Sequence, residues 1–249
     1  MIELLAPAKL TWYLEITGRR EDGYHFIRSE MVTLDLADRL MVDEAADYLR
    51  LTRPTDDVPV DASNLVARAL HLVGRHAGVT IDKVVPAGGG LGGGSADAAA
   101  ILRWAGGVSA DQALTLGADV PFCQLGGRAL VEGVGEVLTP LPFEQRALTL
   151  MMPSFAVDTA ACYRVFDRLR TSGGSAHGRN HLEEAAGIVQ PHLARTLTWL
   201  RAELGREVQL AGSGSTMFVE GHLEAAQSSW DVEGPEGTVR FRQTTTTPS

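Results

Sequence analysis

Cysteine is nearly absent: the 249 residues contain two, Cys123 and Cys162. Neither sits in a CxxC or other metal-ligand spacing, which excludes a disulfide scaffold and a cysteine-based zinc site. Two buried free thiols in a reducing compartment are expected. A basic excess is lacking as well. Lys and Arg number 22 against 31 Asp and Glu, a formal net charge of −9, so a basic stripe for nucleic acid is not expected. A small anion remains compatible, because local backbone groups can hold one. No apolar run reaches the roughly 18 residues that a membrane helix requires; "ALTLMMPSFAV" is short and contains Pro153. The opening "MIELLAPAKL" lacks the charged and long apolar regions of a signal peptide. The expectation is a cytoplasmic protein without a nucleic-acid or membrane partner.

What is present suits a globular protein of one large domain or two ordinary ones, at 45% hydrophobic and 21% charged residues. "KLTWYLEI" and "RSEMVTLDL" alternate like strands on either side of the turn "GRREDGYH". In "DASNLVARALHLVGRHAG", Leu65, Ala69, Leu72 and Val73 share a helical face, with Asp61 or Ser63 as its cap. "VTIDKVV" reads as a short strand ended by Pro86, and "ADAAAILRW" as helix with Ser95 at the N-cap and Asp97 in the first turn. "SADQALTLGADVPF" reads as a short helix and a turn, and "GRALVEGVGEVLTPL" as a hairpin. A boundary is expected near residues 143–147. Beyond it come the strand "ALTLMMPS", helices around "AACYRVFDRLR" and "PHLARTLTWLRAEL" with the mobile loop "TSGGSAHGRN" between them, and a strand–glycine turn–strand in "EVQLAGSGSTMFVE". Strands and helices mix without a strict βαβ rhythm, which favours α+β in two lobes. We divide the chain into 1–145, 146–241 and a disordered tail over 242–249.

Six glycines occupy the seven positions from Gly88 to Gly94, between a strand and an alanine-rich helix. A helix N-terminus carries roughly half a positive charge and several unpaired N–H groups. Glycine removes the side chains that would keep a phosphate from those groups and reaches the positive φ that gathers N–H groups into one concavity. A flexible linker or a tight helix–strand contact would use the same residues. Two anion sites compete with those readings. Gly88, Gly90 and Gly93 satisfy the dinucleotide pattern G-x-G-x-x-G, with Asp111 near the distance of a ribose contact, but no regular βαβαβ pattern surrounds them. The pattern G-x-x-x-x-G-K-[ST] is absent, which excludes a P-loop NTPase.

"PAGGGLGGGSADAA" resembles the central phosphate motif of the GHMP small-molecule kinases, written P-x-G-x-G-L-G-S-S-A. "APAKL" at residues 6–10 is similar to that family's first motif and "LAGSGSTMFVE" at 210–220 to its third. "DGYH", "NLVARAL", "LGADVPF", "EGVGEVLTPL" and "GRNHLE" resemble the branch acting on a cytidine diphosphate-linked methylerythritol in non-mevalonate isoprenoid precursor synthesis. The likeness runs to about residue 220. The chain departs from the family at Thr11, where Asn is usual, in a compressed stretch from Trp104 to Gly117, and after Glu220.

The resemblance implies a two-lobed GHMP kinase fold, with an N-terminal ribosomal-protein-like β/α domain and a C-terminal ferredoxin-like α/β domain. It implies ATP and Mg2+ as cofactors and transfer of phosphate to the substrate's 2-hydroxyl. Asp119 and Lys9 match the catalytic pair. The phosphate cradle is Pro86, Ala87, Gly88, Gly89, Gly90, Leu91, Gly92, Gly93, Gly94, Ser95 and Ala96, with Ser95 also a contact for Mg2+. Lys83 resembles a nucleotide-contacting lysine and Asn64 a residue bordering the adenine pocket. Tyr24, His25 and Tyr163 match the residues around the substrate's base; Thr11, Thr159, Gly212, Ser213 and Gly214 complete the substrate side. Three alternatives stay open: a GHMP kinase acting on homoserine, mevalonate or a sugar; a nucleotide-binding relative with weakened catalysis; and a dinucleotide-binding dehydrogenase.

Overall fold

The computed structural model describes residues 1–53, 57–171 and 178–248. A long hairpin organises its first half. Strand β1 (Ile2–Arg19) pairs along its length with β2 (His25–Asp43). On β1, Ala8, Leu10 and Trp12 are buried at two-residue spacing in one cluster, while Ala6 and Leu14, on the far sides of two bulges, are buried in others. Lys9 and Thr11 lie on the opposite face and are buried too. Register shifts at Pro7/Lys9 and Thr11/Tyr13 bracket this polar pair; such bulges re-aim side chains out of a regular ladder.

The chain continues through β3 (Tyr48–Leu51), α1 (Leu65–Leu72), β4 (Gly78–Asp82), α2 (Gly93–Trp104), α3 (Ala110–Leu114), α4 (Val120–Leu125), β5 (Arg128–Gly133) and β6 (Val137–Pro140). Strand β2 is the spine: β4 and β5 pair with its second edge, β3 runs parallel to β4, and β5–β6 is a hairpin. Helix α2 is buried on most of its surface, with Ala96, Ala98, Ala99, Ala100, Ile101 and Leu102 at 2% exposure or less. Its small side chains let it lie close against the sheet.

Three local expectations are corrected. Helix α1 is capped by Asn64, whose Oδ1 accepts from Val66 N at 2.8 Å. Asp61 is occupied one step earlier, accepting from Ser63 N at 2.8 Å and closing a turn of its own. Helix α2 is capped by Gly92 at φ 67°, which leaves Ser95 inside the first turn. The run of glycines lets the helix start earlier than a side-chain cap would. Asp97 therefore lies beyond the first turn and is buried. The stretch read as a turn after α3 contains α4 as well.

The second half forms an antiparallel sheet in the order β10-β11-β7-β9-β8. Its elements are β7 (Ala147–Pro153), α5 (Thr159–Thr171), α6 (Glu183–Val189), α7 (Pro191–Leu204), β8 (Gln209–Leu210), β9 (Met217–Glu220), β10 (Ser229–Gly234) and β11 (Gly237–Thr245). The change of sheet falls between Pro140 and Ala147, yet the core is continuous. Leu14, Ile27, Met31 and Phe122 of the first half cluster with Met151, Cys162, Phe166 and Met217 of the second. Residues 172–177 of the loop expected to be mobile lie outside the described residues, as does Ser249.

The tail expected to be disordered is ordered through Pro248. Arg242 to Thr245 extend β11 against β7. Thr244 Oγ1 and Thr245 bond to Asp35, and Thr246 Oγ1 donates to Glu144 O at 2.7 Å. A run of β-branched threonines fits a strand, and their hydroxyls find partners on both halves.

Candidate active site

The three motif segments, two of them glycine-bearing, meet around Lys9. Leu91 is fully buried between the two sheets and pins the loop between strand β4 and helix α2. Lys9 N donates to Leu91 O at 3.0 Å, and Thr216 N donates to Gly89 O at 3.0 Å. Gly88, Gly90 and Gly92 hold φ of 68°, 78° and 67°. A Cβ on Gly90 would stand 2.7 Å from Gly214 O and 2.8 Å from Ala211 O; one on Gly92 would stand 2.8 Å from Lys9 Cγ. These two glycines thus serve close packing against the first and third motifs. Asn180 fastens the third: its Nδ2 donates to Leu210 O at 2.9 Å and Gly212 O at 2.7 Å.

Lys9 Nζ lies 3.1 Å from Asp119 Oδ2 and donates to Thr11 Oγ1 at 3.1 Å. Lys9 is 6% exposed, whereas the Asp119 side chain is 31% exposed. Asp119 sits at the start of α4 and makes no side-chain cap bond, so its carboxylate is turned to the lysine instead. A buried ammonium between a carboxylate and a hydroxyl is satisfied on two of its three donors.

Both halves line one cleft of about 670 Å3. Lys9, Thr11, Gly90, Ser95 and Asp119 stand with Thr159, Gly212 and Ser213 in it, and Tyr24, His25 and Tyr163 line it as well. Thr159 Oγ1 and Ser213 Oγ are 2.7 Å apart. The His25 ring stacks on Tyr163 with centroids 4.7 Å apart and planes at 23°. Tyr24 is 58% exposed, with the Arg20 guanidinium over its ring. Burial first, and the negative charge of Asp119 second, push the Tyr163 hydroxyl well above the usual tyrosine range. The charge of Asp119 thus acts on the aromatic part of the cleft.

Of the expected phosphate cradle, Gly90 and Ser95 line the cleft; Pro86, Ala87, Gly88, Gly89, Leu91, Gly92, Gly93, Gly94 and Ala96 do not, and neither do Lys83, Asn64 and Gly214. Asn64 spends its side chain on the cap and on Pro59 O, at 2.6 Å from Nδ2. Lys83 lies against Gly93 and is bound between Asp38 Oδ2 and Asp97 Oδ2, the latter at 2.8 Å. Asp38 also accepts from Val84 N and Val85 N, which fixes the approach to the loop. Burial pulls the Lys83 ammonium down, but the two carboxylates outweigh it and hold its pKa above the ordinary lysine value. Burial, with Lys83 opposing and Asp38 adding, pushes Asp97 up to about 7. Cys123 and Cys162 are unpaired, and burial raises their thiols to about 12 and about 11. Neither is poised as a nucleophile.

Sequence reasoning missed Arg19, Asp22, Arg164 and Asp167, which line the cleft. Asp167 was within reach, since it follows Tyr163 by one helical turn and so shares its face.

Residues 62–127 match the profile of the GHMP kinases N terminal domain. The chain is 37% identical over 231 residues to the 4-diphosphocytidyl-2-C-methyl-D-erythritol kinase of Paracoccus denitrificans (strain Pd 1222), covering 86% of this chain and 84% of that protein. The chain belongs to this kinase family. A relative of the same name from Nitrosospira multiformis is 35% identical over 260 residues, covering 95% of the chain and 88% of its own length. A crystal structure of 4-(cytidine 5'-diphospho)-2C-methyl-D-erythritol kinase superposes with a TM-score of 0.73 at 31% identity, over the full length of both chains. The two-sheet α+β arrangement is accordingly the GHMP kinase fold. In this chain the matched segment carries the glycine loop and Asp119, while Lys9 and the glycine turn at Gly212–Gly214 lie outside it. Among the described residues no helix is long and apolar enough to cross a membrane.

Proposed function

We propose that this chain transfers the terminal phosphoryl group of ATP to the 2-hydroxyl of 4-diphosphocytidyl-2-C-methyl-D-erythritol, in the cytoplasm and with Mg2+. The observation that carries the reading is the Lys9–Asp119 pair, 3.1 Å apart beside the glycine loop, in a cleft also lined by His25 and Tyr163. The left-handed Gly88, Gly90 and Gly92 and the N-terminus of α2 suit a phosphate chain. Mg2+ takes one or two protein oxygens beside substrate phosphates; Ser95 and Asp119, both lining the cleft, are donors of that kind. ATP supplies the phosphoryl group, and Mg2+ neutralises charge between its phosphates.

A tertiary hydroxyl is a weak nucleophile, so its proton and its orientation are what the protein must manage. Asp119 accepts that proton as the oxygen closes on phosphorus. Lys9, 3.1 Å from Asp119, places its remaining donor toward charge on the transferred group. Thr11 fixes the direction of the ammonium. His25, Tyr163 and Tyr24 surround the base, where stacking on an aromatic is worth roughly 1–3 kcal/mol. Lys83 and Asn64 act at one remove, through the shape of the loop and of α1.

ADP release measured with the cytidyl substrate, homoserine, mevalonate and a hexose tests the reading. Turnover is expected with the cytidyl substrate alone, and Asp119→Asn is expected to lower kcat by about 100-fold or more while ATP still binds. Comparable turnover on another alcohol would reassign the substrate. Tight ATP binding without turnover would make the chain a weakened relative, and full activity in Asp119→Asn would remove the carboxylate from the chemistry.

A further inference from the structure

One face of helix α5 encloses His25. Besides the stack on Tyr163, the ring meets the edge of Phe166 at 6.2 Å and 85°. Its Nε2 lies 2.6 Å from Asp167 Oδ1. The second carboxylate oxygen, Oδ2, stands 3.4 Å from the Arg19 guanidinium, so both oxygens of Asp167 have partners. A carboxylate only accepts. The nitrogen facing it therefore carries the proton, and Nδ1 of the neutral ring is left with a lone pair. Nδ1 has no hydrogen-bond partner among the described residues, and His25 lines the cleft.

We propose that Asp167 is a positioning residue that sets base specificity: by holding the proton on Nε2 it presents His25 Nδ1 as an acceptor, which selects a pyrimidine with a 4-amino group over one with a 4-carbonyl. The inference rests on the reading of His25 as a contact of the substrate's base. Cytosine offers an N–H at position 4 and satisfies the lone pair. Uracil offers a carbonyl oxygen there, so two acceptors would face each other and both would lose their partners on leaving water. An unmatched buried polar group costs more than a missing contact, and a site built to bond one polar group rejects the analogue that lacks it. Without Asp167 the imidazole is free to carry its proton on either nitrogen. It would then donate to the 4-carbonyl of uracil as readily as it accepts from cytosine.

Calorimetric titration of the full chain with cytidine diphosphate and uridine diphosphate reads this preference directly. The wild-type chain is expected to favour the cytidine ligand by about tenfold or more. In Asp167→Ala the preference is expected to fall to about threefold or less. Imidazole 15N spectra at mildly alkaline pH give a readout that does not depend on the fold of Asp167→Ala: His25, assigned by comparison with His25→Gln, is expected as the Nε2–H tautomer in the wild-type chain. Equal binding of both ligands by the wild type would overturn the reading of His25 and the inference with it. An undiminished preference in folded Asp167→Ala, or an Nδ1–H tautomer in the wild type, would overturn the role of Asp167 while leaving that of His25 standing.

Discussion

Lys9 Nζ and Asp119 Oδ2 are 3.1 Å apart, with the lysine buried behind the aspartate and the aspartate open to the cleft. The asymmetry matters. A buried cation with one anionic partner is stable only while that partner stays, and it cannot swing to solvent in search of another. Bulges on either side of Lys9–Thr11 and the glycine at position 92, over which the lysine stem lies, hold it there.

Lys9→Met keeps the stem and removes the charge. Asp119 then loses its cationic partner, and the transferred phosphoryl loses a donor. We expect kcat to fall by about 100- to 1,000-fold, the range seen when one preorganised donor is removed. The apparent affinity for the cytidyl substrate should change little, because its base contacts lie elsewhere in the cleft. Steady-state kinetics against both substrates checks this; a variant that loses affinity with kcat preserved would show that Lys9 binds rather than catalyses.

Gly90→Ala and Gly94→Ala should separate the loop's two tasks. Gly90 has φ 78° and two carbonyl oxygens within 3 Å of a would-be Cβ. An alanine there is strained by about 1–3 kcal/mol from backbone conformation alone, before the third motif is pushed aside. Gly94 lies in the helix with the nearest foreign atom, Leu65 Cδ1, at 3.6 Å. Alanine at this position should fold as well as the wild type or slightly better, since glycine is the poorer helix former. Thermal melts of the two variants give the comparison. A Gly94→Ala protein that folds normally but binds ATP poorly would locate the phosphates against that backbone; equal melting temperatures for both variants would contradict the packing role of Gly90.

The loop shows how far the sequence carried and where it stopped. Its position between a strand and a helix and the strands before it could be read from alternation and glycine content; the pairing of Lys9 with Asp119 came only with the family resemblance. The same letters could not reveal that Gly90 and Gly92 are required by neighbours far along the chain, since those contacts exist only once the sheets pack. The ion pairs of the lysine at 83 were hidden for a related reason. Its partner Asp38 looks like one more charge in an alternating strand, and nothing local marks it as fully buried. The threonine tail misled in the opposite direction: its composition suggests disorder, and only the unpaired edge of β7 and the side chain of Asp35 give it a place.

Deleting residues 242–249 therefore removes structure. The truncated chain loses its pairing against Ala147–Leu150, the contacts of Thr244 and Thr245 with Asp35 and those of Thr246 with the connection at Glu144–Arg146. A loss of a strand pairing and several part-buried hydrogen bonds, each worth about 1 kcal/mol, should lower the denaturation midpoint measurably. Asp35→Ala should reproduce part of the effect without shortening the chain. Urea titrations of both variants check it, and an unchanged midpoint on truncation would return the tail to the status of an appendage.

Asp97 makes the stability of the protein depend on pH in a defined direction. Burial lifts its carboxyl from an ordinary 3.8 to about 7. The folded chain thus keeps a proton that the unfolded chain would release across that interval. The stability this confers is complete below about pH 4 and is lost as the pH rises to about 7. Above that point, two carboxylates share the single ammonium of Lys83, and Oδ1 of Asp97 is buried without a hydrogen-bond partner. Asp97→Asn copies the protonated form at every pH. Relative to the wild type, the variant should gain stability between pH 4.5 and pH 8, on the order of 2–3 kcal/mol given the size of the displacement. Denaturant titrations of both proteins at the two ends of that range measure the difference, in which other titrating groups cancel. Parallel pH profiles would mean that Asp97 is ionised throughout and that Lys83 satisfies both carboxylates at once.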